Sequence, residues 1–165
     1  MFYLAQALGI IALIILSLSF QKNRKDTLLK YQIFSSLFFA LQYLCLNAIT
    51  GFLMNLMTMI RNIIFKKYEN KVPVGFLIIT ILLMILLSLF SYNGLISLLP
   101  TIAVVLYSIA VWQKNLTITR IIEVISCMLF IIYNINVLAI IGLISTIIEM
   151  TFALVAIYRF DLKKE

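Results

Sequence analysis

Long apolar segments alternate with short polar stretches along the whole chain. Seven such segments can be drawn, most of them 17–20 residues long, at 2–20, 31–47, 51–67, 74–91, 95–112, 121–138 and 140–159. A transmembrane helix needs about 20 apolar residues to cross the hydrocarbon core of a bilayer. The pattern therefore predicts an all-α, polytopic membrane protein with seven transmembrane helices. The boundary at 136–142 has almost no polar residue, so one long bent helix there, and a count of six, stays open.

The composition supports the same class of protein. Hydrophobic residues make up 64% of the 165 residues and charged residues only 12%, whereas a soluble domain carries about 25% charged residues. The chain has no histidine, which is the commonest metal ligand and proton shuttle. Cys45 and Cys127 lie in apolar segments without CxxC spacing. Both are predicted to be buried thiols that form neither a metal site nor a disulfide.

The basic residues give the predicted helices an orientation. If the N-terminus lies outside and the chain crosses at every segment, all 13 Lys and Arg residues fall on the inner side. The outer connections at 47–51, 92–95 and 136–142 carry no charge. This arrangement satisfies the positive-inside rule, which a six-helix count would not. The net charge of +7 therefore indicates topology and attraction to anionic lipid, and no nucleic-acid partner is expected.

Part of the sequence recurs. The phrase "FQKN" at 20–23 reappears as "WQKN" at 112–115, at an interval of 92 residues. After one deletion the interval becomes 91, and 35–63 then aligns with 126–154, with shared residues that include Ser35/Ser126, Phe39/Phe130 and Gly51/Gly142. The alignment predicts the duplication of a three-helix unit.

A three-helix unit reverses the direction of the chain across the membrane, so a fourth helix is needed to make two such units parallel. The apolar segment at 74–91 can serve as that linker helix. The predicted organisation is a first three-helix repeat at 1–70, a linker helix at 71–93, and a second repeat with a short cytoplasmic tail at 94–165.

Three stretches resemble the YgjV-type bacterial inner-membrane family: "FYLAQALGIIAL" near the start, "LLPTIAVVLYSIAVWQKNLTITR" at 98–120, and "YNINVLAIIGLI" at 133–144. The 3+1+3 arrangement is in turn similar to the SWEET/PQ-loop (MtN3-like) transporter superfamily. The resemblance implies a multi-pass protein of the bacterial inner membrane, and it supplies no substrate. The proline that the superfamily carries in the first helix of each repeat is matched by Pro100, whereas the aligned residue of the first copy is Leu8.

Ionisable groups are costly inside a membrane and are therefore candidates for function. Glu149 is the acidic residue predicted near mid-membrane, far from both ends of its helix. Arg61 is predicted to extend toward the inner surface, because it lies close to Lys67 on the same helix. Glu123 is predicted to form a surface pair with Arg120.

Uncharged polar residues form two aligned stripes. Gly51, Asn55, Thr58 and Asn62 share one face of a predicted helix, and the aligned stripe consists of Gly142, Thr146, Glu149 and Ala153. Packing of small residues with polar groups between helices explains the glycines and threonines. It explains Asn55 and Glu149 poorly.

The function predicted from these features is the transport of a small polar solute by alternating access between two three-helix bundles. Asn55 and Thr58 would bind the solute from one side and Thr146 and Glu149 from the other. Glu149 is also a candidate for binding a cation or a proton. The predicted outer approach consists of Asn134 and Gln42, with a stacking ring from Tyr133 or Tyr43.

A non-transporting scaffold or helper subunit is the alternative. In that case the stripes would only hold helices together, and Glu149 would pair with Arg61 or with a partner chain. No HExxH or GxSxG motif is present, so no enzyme activity, catalytic residue, cofactor or metal is expected. The predicted partners are the lipid bilayer and a small polar solute, with a homo-oligomer left open. The N-terminus is expected outside the inner membrane and the C-terminus in the cytoplasm.

Overall fold

A computed structural model of the chain describes residues 1–20, 25–68, 72–113 and 115–159. Within these residues the structure contains seven α-helices and no strand. The helices are α1 (Phe2–Phe20), α2 (Lys25–Cys45), α3 (Ile49–Lys67), α4 (Val74–Phe90), α5 (Leu99–Trp112), α6 (Leu116–Asn136) and α7 (Ile140–Ile157), and a 3-10 turn (Leu95–Leu98) leads into α5. The break between α6 and α7 excludes one long bent helix at 136–142.

Three of the described helical segments are long and apolar enough to cross a membrane: Leu95–Trp112, Thr117–Asn136 and Ile140–Ile157. Two shorter apolar segments are Phe2–Leu18 and Val74–Phe90. The outward side chains agree with a lipid environment, since Ile79, Leu82 and Leu89 on α4 are each more than 60% exposed. The protein is therefore an all-helical membrane protein.

The helices pack as two groups of three. We call α1–α3 the first trio and α5–α7 the second trio. In each trio the middle helix packs against the two others, and α4 lies against α3 and α5. The trios meet where α1 contacts α7 and where α3 contacts α5.

The local geometry of the first trio recurs in the second at an interval of 91 residues. Asn47 and Leu138 follow α2 and α6 with φ values of 55° and 56°. The Ser35 hydroxyl donates to the Ala12 carbonyl at 3.0 Å, and the equivalent Ser126 hydroxyl donates to the Ala103 carbonyl at 3.1 Å. We call two residues that are 91 positions apart, such as Tyr43 and Asn134, equivalent.

The pairing of Ala12 with Ala103 corrects the sequence alignment in the first helix of each trio. Extended along the helix, it makes Gly9 the equivalent of Pro100, where the alignment had placed Leu8. The interval is therefore 91 residues before and after the repeated phrase, and it is 92 residues only between "FQKN" and "WQKN". Residues 21–24 and 114 of the repeated phrases, the predicted boundary at 69–71 and the tail at 160–165 lie outside the described residues.

Candidate functional site

A cavity of about 170 Å³ lies between the two trios. Its wall is formed by side chains of α1, α2, α3, α5, α6 and α7, and α4 contributes none. The wall is rich in polar groups, although the outside of the bundle is apolar. Polar groups that face a cavity inside a membrane protein mark candidate sites for a solute or an ion.

Four of the predicted site residues line this cavity: Asn55 and Thr58 on α3, and Thr146 and Glu149 on α7. The Asn55 amide donates to the Gly51 carbonyl at 2.9 Å, and the equivalent Thr146 hydroxyl donates to the Gly142 carbonyl at 2.8 Å. No described residue forms a hydrogen bond with the Thr58 hydroxyl. The two stripes thus face one cavity from opposite trios.

Glu149 belongs to a cluster that the sequence analysis did not identify. The carboxylate oxygens of Glu123 and Glu149 and the Sγ atom of Cys127 all lie within 4.8 Å of one another, and Ser145 donates to Glu149 Oε1 at 3.1 Å. Glu123 therefore lines the cavity, which corrects the expectation of a residue at the protein surface. Cys127 is a free, buried thiol as predicted, but its place beside two carboxylates gives it the donor set of a possible cation site.

The spacing of Glu123 and Cys127 contained part of this information. Residues four apart on a helix share a face, so the sequence could have placed the thiol and the carboxylate side by side. Glu149 lies on another helix, and its proximity to them depends on how α6 and α7 pack.

Arg61 also lines the cavity, which corrects the prediction that it extends toward the inner surface. Its side chain is only 5% exposed. The guanidinium donates to the Ser108 hydroxyl at 3.0 Å and to the side-chain amide oxygen Oδ1 of Asn62 at 3.2 Å and 3.4 Å. It also lies 5.1 Å from the centre of the Tyr107 ring, within the range of a cation–π contact. These contacts hold a positive charge at a fixed place in the wall.

A hydrogen-bonded layer closes the cavity toward the connections at Asn47 and Leu138, which we call the turn end. The Tyr43 hydroxyl donates to Asn134 Oδ1 at 2.5 Å, and the Asn134 amide donates to the Thr146 hydroxyl at 3.2 Å. The backbone N–H of Gly51 donates to the Tyr133 hydroxyl at 2.9 Å. The centres of the Tyr43 and Tyr133 rings are 5.8 Å apart. We call Tyr43, Tyr133 and Asn134 the barrier.

The barrier separates two cavities. Tyr43 lines the cavity between the trios, and Tyr133 lines a second cavity of about 350 Å³ at the turn end. Asn134 is 1% exposed and lines neither cavity, because its amide is used inside the barrier. The prediction that Asn134 lines an outer approach is therefore corrected to a place within the closure.

Gln42 is also placed differently from the prediction. Its side chain is fully buried and lines neither cavity, and its amide packs closely against the backbone of Gly9. A Cβ atom at Gly9 would lie 2.7–2.8 Å from the Gln42 amide group. The glycine at position 9 therefore leaves the space that Gln42 occupies, and Gln42 belongs to the contact between α1 and α2.

Comparisons with curated proteins and with solved structures gave no match to this chain. Residues 3–164, nearly the whole chain, match the Imp-YgjV family, described as bacterial inner membrane protein. This agrees with the apolar outer surface and the long apolar helices described above. The chain belongs to the Imp-YgjV family of bacterial inner membrane proteins.

Proposed function

We propose that this protein transports a small polar solute across the bacterial inner membrane, and that the two trios move against each other to open the central cavity alternately to either side. The observation that carries the proposal is the polar cavity itself. It lies between the trios, and it includes both Asn55 and Glu149 in its wall. A scaffold that needs only firm helix packing would gain nothing from leaving such a space open.

The proposed architecture is a 3+1+3 arrangement of seven membrane helices, with units at 1–70, 71–93 and 94–165. It is supported by the recurrence of hydrogen bonds and turns at 91 residues, and by the contacts between trios. The contact of α1 with α7 and that of α3 with α5 are equivalent under this interval. The likeness to SWEET transporters rests on this arrangement alone.

The orientation is also part of the proposal. The turn end carries no charged residue in the connections at 47–51, 92–95 and 136–142. The opposite end, which we call the basic end, includes Lys30, Lys66, Lys67, Arg120 and Arg159 among the described residues. The positive-inside rule then puts the turn end outside and the basic end in the cytoplasm. In that orientation the barrier closes the cavity toward the outside.

The position of the barrier supports the proposal of alternating access. Its hydrogen bonds join α2 and α3 of the first trio to α6 of the second, and a further bond joins α6 to α7 within the second trio. Breaking the bond between Tyr43 and Asn134 and that between Gly51 and Tyr133, together with the bonds of Gln6 to the backbone of Leu138 and Ile141, would let the trios separate at the turn end while they approach each other at the basic end. The solute would stay bound between the two stripes during this movement.

A matched pair of variants tests the proposal. Thr58→Leu adds apolar volume and removes a hydroxyl inside the cavity, whereas Thr151→Leu makes the same change at an exposed position of α7. Both proteins would be reconstituted in liposomes and assayed with radiolabelled glycine, L-alanine, urea and glycerol. We expect at least one of these solutes to enter faster than in protein-free liposomes. We expect Thr58→Leu to slow its uptake by about tenfold, equivalent to about 1.4 kcal/mol.

Thr151→Leu should transport like the unchanged protein. If no solute of the panel crosses faster than in protein-free liposomes, the transport proposal fails, and equal loss of uptake in both variants would refute the central cavity as the site that binds the solute. A stably inserted protein without uptake would favour the scaffold.

A further inference from the structure

The charges in the central cavity are divided between the two trios. Arg61, the positive group, belongs to the first trio, and the acidic groups Glu123 and Glu149 belong to the second. The equivalent positions are uncharged: Phe152 for Arg61, Gln32 for Glu123 and Thr58 for Glu149. The two sides of the cavity thus have similar backbones and opposite charge.

The guanidinium of Arg61 still has donors to offer. An arginine has five N–H groups, and three of them donate to Ser108 and Asn62. One N–H on each terminal nitrogen has no acceptor among the described residues. A carboxylate accepts two such bonds from one arginine, and this pairing is among the strongest in proteins.

The acidic side attracts a positive group when its carboxylates are ionised. Glu123 and Glu149 lie within 4.8 Å of each other, and two carboxylates that close repel each other in a poorly hydrated site. Among the described residues, neither carboxylate lies within 4.0 Å of the Arg61 guanidinium, the limit for an ion pair. Arg61 and Glu123 attract each other across the cavity, and Tyr107 contacts both of them, but the two charged groups form no direct ion pair. Charges that lie apart inside a membrane are costly unless a ligand pairs each of them with an opposite charge.

The cavity has room for a small ligand. Its volume of about 170 Å³ far exceeds the roughly 10–15 Å³ of probe-occupied space that one water needs. An amino acid with a small side chain therefore fits this space.

We propose that the cavity binds a small zwitterion, an amino acid with a small side chain. Its carboxylate would lie on Arg61 and its ammonium group between Glu123 and Glu149. The inference rests on the proposed function, because it names the class of solute that would be transported. Binding of that solute can nevertheless be measured without measuring transport. A lone metal ion would bind the two carboxylates and leave Arg61 without a partner. A simple carboxylate would bind Arg61 and leave the two glutamates without a partner.

The test compares ligands that carry one or both charges. The full-length protein in lipid nanodiscs would be titrated calorimetrically at neutral pH with glycine, L-alanine, L-serine, L-alaninamide, propionate and Zn²⁺. We expect at least one of the three amino acids to bind. L-alaninamide, which lacks the carboxylate, and propionate, which lacks the ammonium group, should both bind at least tenfold more weakly.

Two variants sharpen the assignment. Arg61→Gln should weaken amino-acid binding to the level of L-alaninamide while leaving L-alaninamide binding unchanged. Glu149→Gln should weaken amino-acid binding and leave propionate binding unchanged. A purely structural role would weaken all ligands together. The ranking of ligands by the unchanged protein needs no variant, so the proposal stays testable if one of them fails to fold.

Two results would overturn the proposal. One is equal binding of L-alanine, L-alaninamide and propionate, and the other is tight binding of Zn²⁺ with no binding of any amino acid. Failure of the transport proposal would look different, because amino acids would bind to nanodiscs but not enter liposomes. Conversely, uptake of urea or glycerol without amino-acid binding would leave transport standing and refute the zwitterion.

Discussion

The first and second trios share a backbone plan and differ in the chemistry that they present to the cavity. Ser35 and Ser126 make the same bond to the preceding helix, and Asn55 and Thr146 bond to equivalent glycine carbonyls. By contrast, the first trio has Arg61 where the second has Phe152. The second trio has Glu149 where the first has Thr58. The shared features hold the helices in place, whereas the differences give the cavity a positive and a negative side.

The barrier contains one contact in which equivalent positions of the two trios carry different side chains. Tyr43 and Asn134 are equivalent residues and bond to each other across the interface between the trios. A tyrosine hydroxyl and an asparagine amide can each donate and accept a hydrogen bond. In this contact the hydroxyl of the first trio donates and the amide oxygen of the second accepts, while the amide N–H group stays available for Thr146.

The largest effect should come from moving an acid between the trios. Glu149→Thr removes a carboxylate from the cavity and should reduce uptake by about tenfold to a hundredfold, since a bond to a charged group contributes about 1.5–3 kcal/mol. The double variant Thr58→Glu with Glu149→Thr puts the carboxylate at the equivalent position of the first trio. We expect it to recover part of the lost uptake in proteoliposomes.

That recovery depends on both positions facing one cavity. A double variant no better than Glu149→Thr alone would show that the two positions are not interchangeable.

An intermediate effect should distinguish the equivalent glycines Gly51 and Gly142, which lie beside the barrier. A Cβ atom at Gly51 would lie 2.9 Å from the Tyr43 and Tyr133 rings, whereas at Gly142 the nearest atom would be 3.3 Å away. Gly51→Ala should therefore destabilise the protein by about 1–3 kcal/mol through overpacking. Gly142→Ala should be nearly neutral, because the gain in helix propensity offsets a mild contact.

Unfolding of both variants in detergent, followed by circular dichroism, measures this difference. Equal stabilities would contradict the close packing of Gly51 against the two rings.

The smallest effect should appear at the two turns. Leu138 has a φ of 56°, and a left-handed backbone costs a residue other than glycine or asparagine roughly 1–2 kcal/mol. Its side chain is 64% exposed, so Leu138→Asn should remove strain with little loss of packing and stabilise the protein by up to about 1 kcal/mol.

The reciprocal change Asn47→Leu should destabilise it by a similar amount, because Asn47 has a φ of 55°. Thermal unfolding in one detergent checks both. A loss of stability in Leu138→Asn would mean that its side chain contributes more than the backbone strain.

The sequence predicted the helices well because their signal is local. Each predicted apolar segment corresponds to a helix of the structure. The chain turns between helices at both predicted connections, 47–51 and 136–142. The repeat interval also placed Thr58 and Glu149 on opposite walls before any contact was known. For Arg61, nearness to Lys67 suggested a position toward the surface, but two of the residues that hold its side chain lie on another helix. Ser108 and Tyr107 belong to α5, and only packing of the two trios brings them to Arg61.

Gln42 and Glu123 were misplaced for a related reason. Their positions on a helix face were visible in the sequence, but which neighbour covers that face was not. Gly9 leaves a space that α2 fills with an amide, and Glu123 turns toward Cys127 and Glu149. Contacts between distant segments decide burial at such positions, and a single sequence does not encode them as a local pattern.

Distances between equivalent residues of the two trios test alternating access most directly. In a background with Cys45→Ser and Cys127→Ser, spin labels at Ile49→Cys and Ile140→Cys report the turn end, and labels at Lys67→Cys and Tyr158→Cys report the basic end. All four side chains are exposed. Pulsed electron paramagnetic resonance in nanodiscs would compare the protein alone with the protein saturated by the solute that gives uptake. The account predicts that the solute shifts the two distance distributions in opposite directions, one end closing as the other opens. Two distributions that stay unchanged by the bound solute would contradict it.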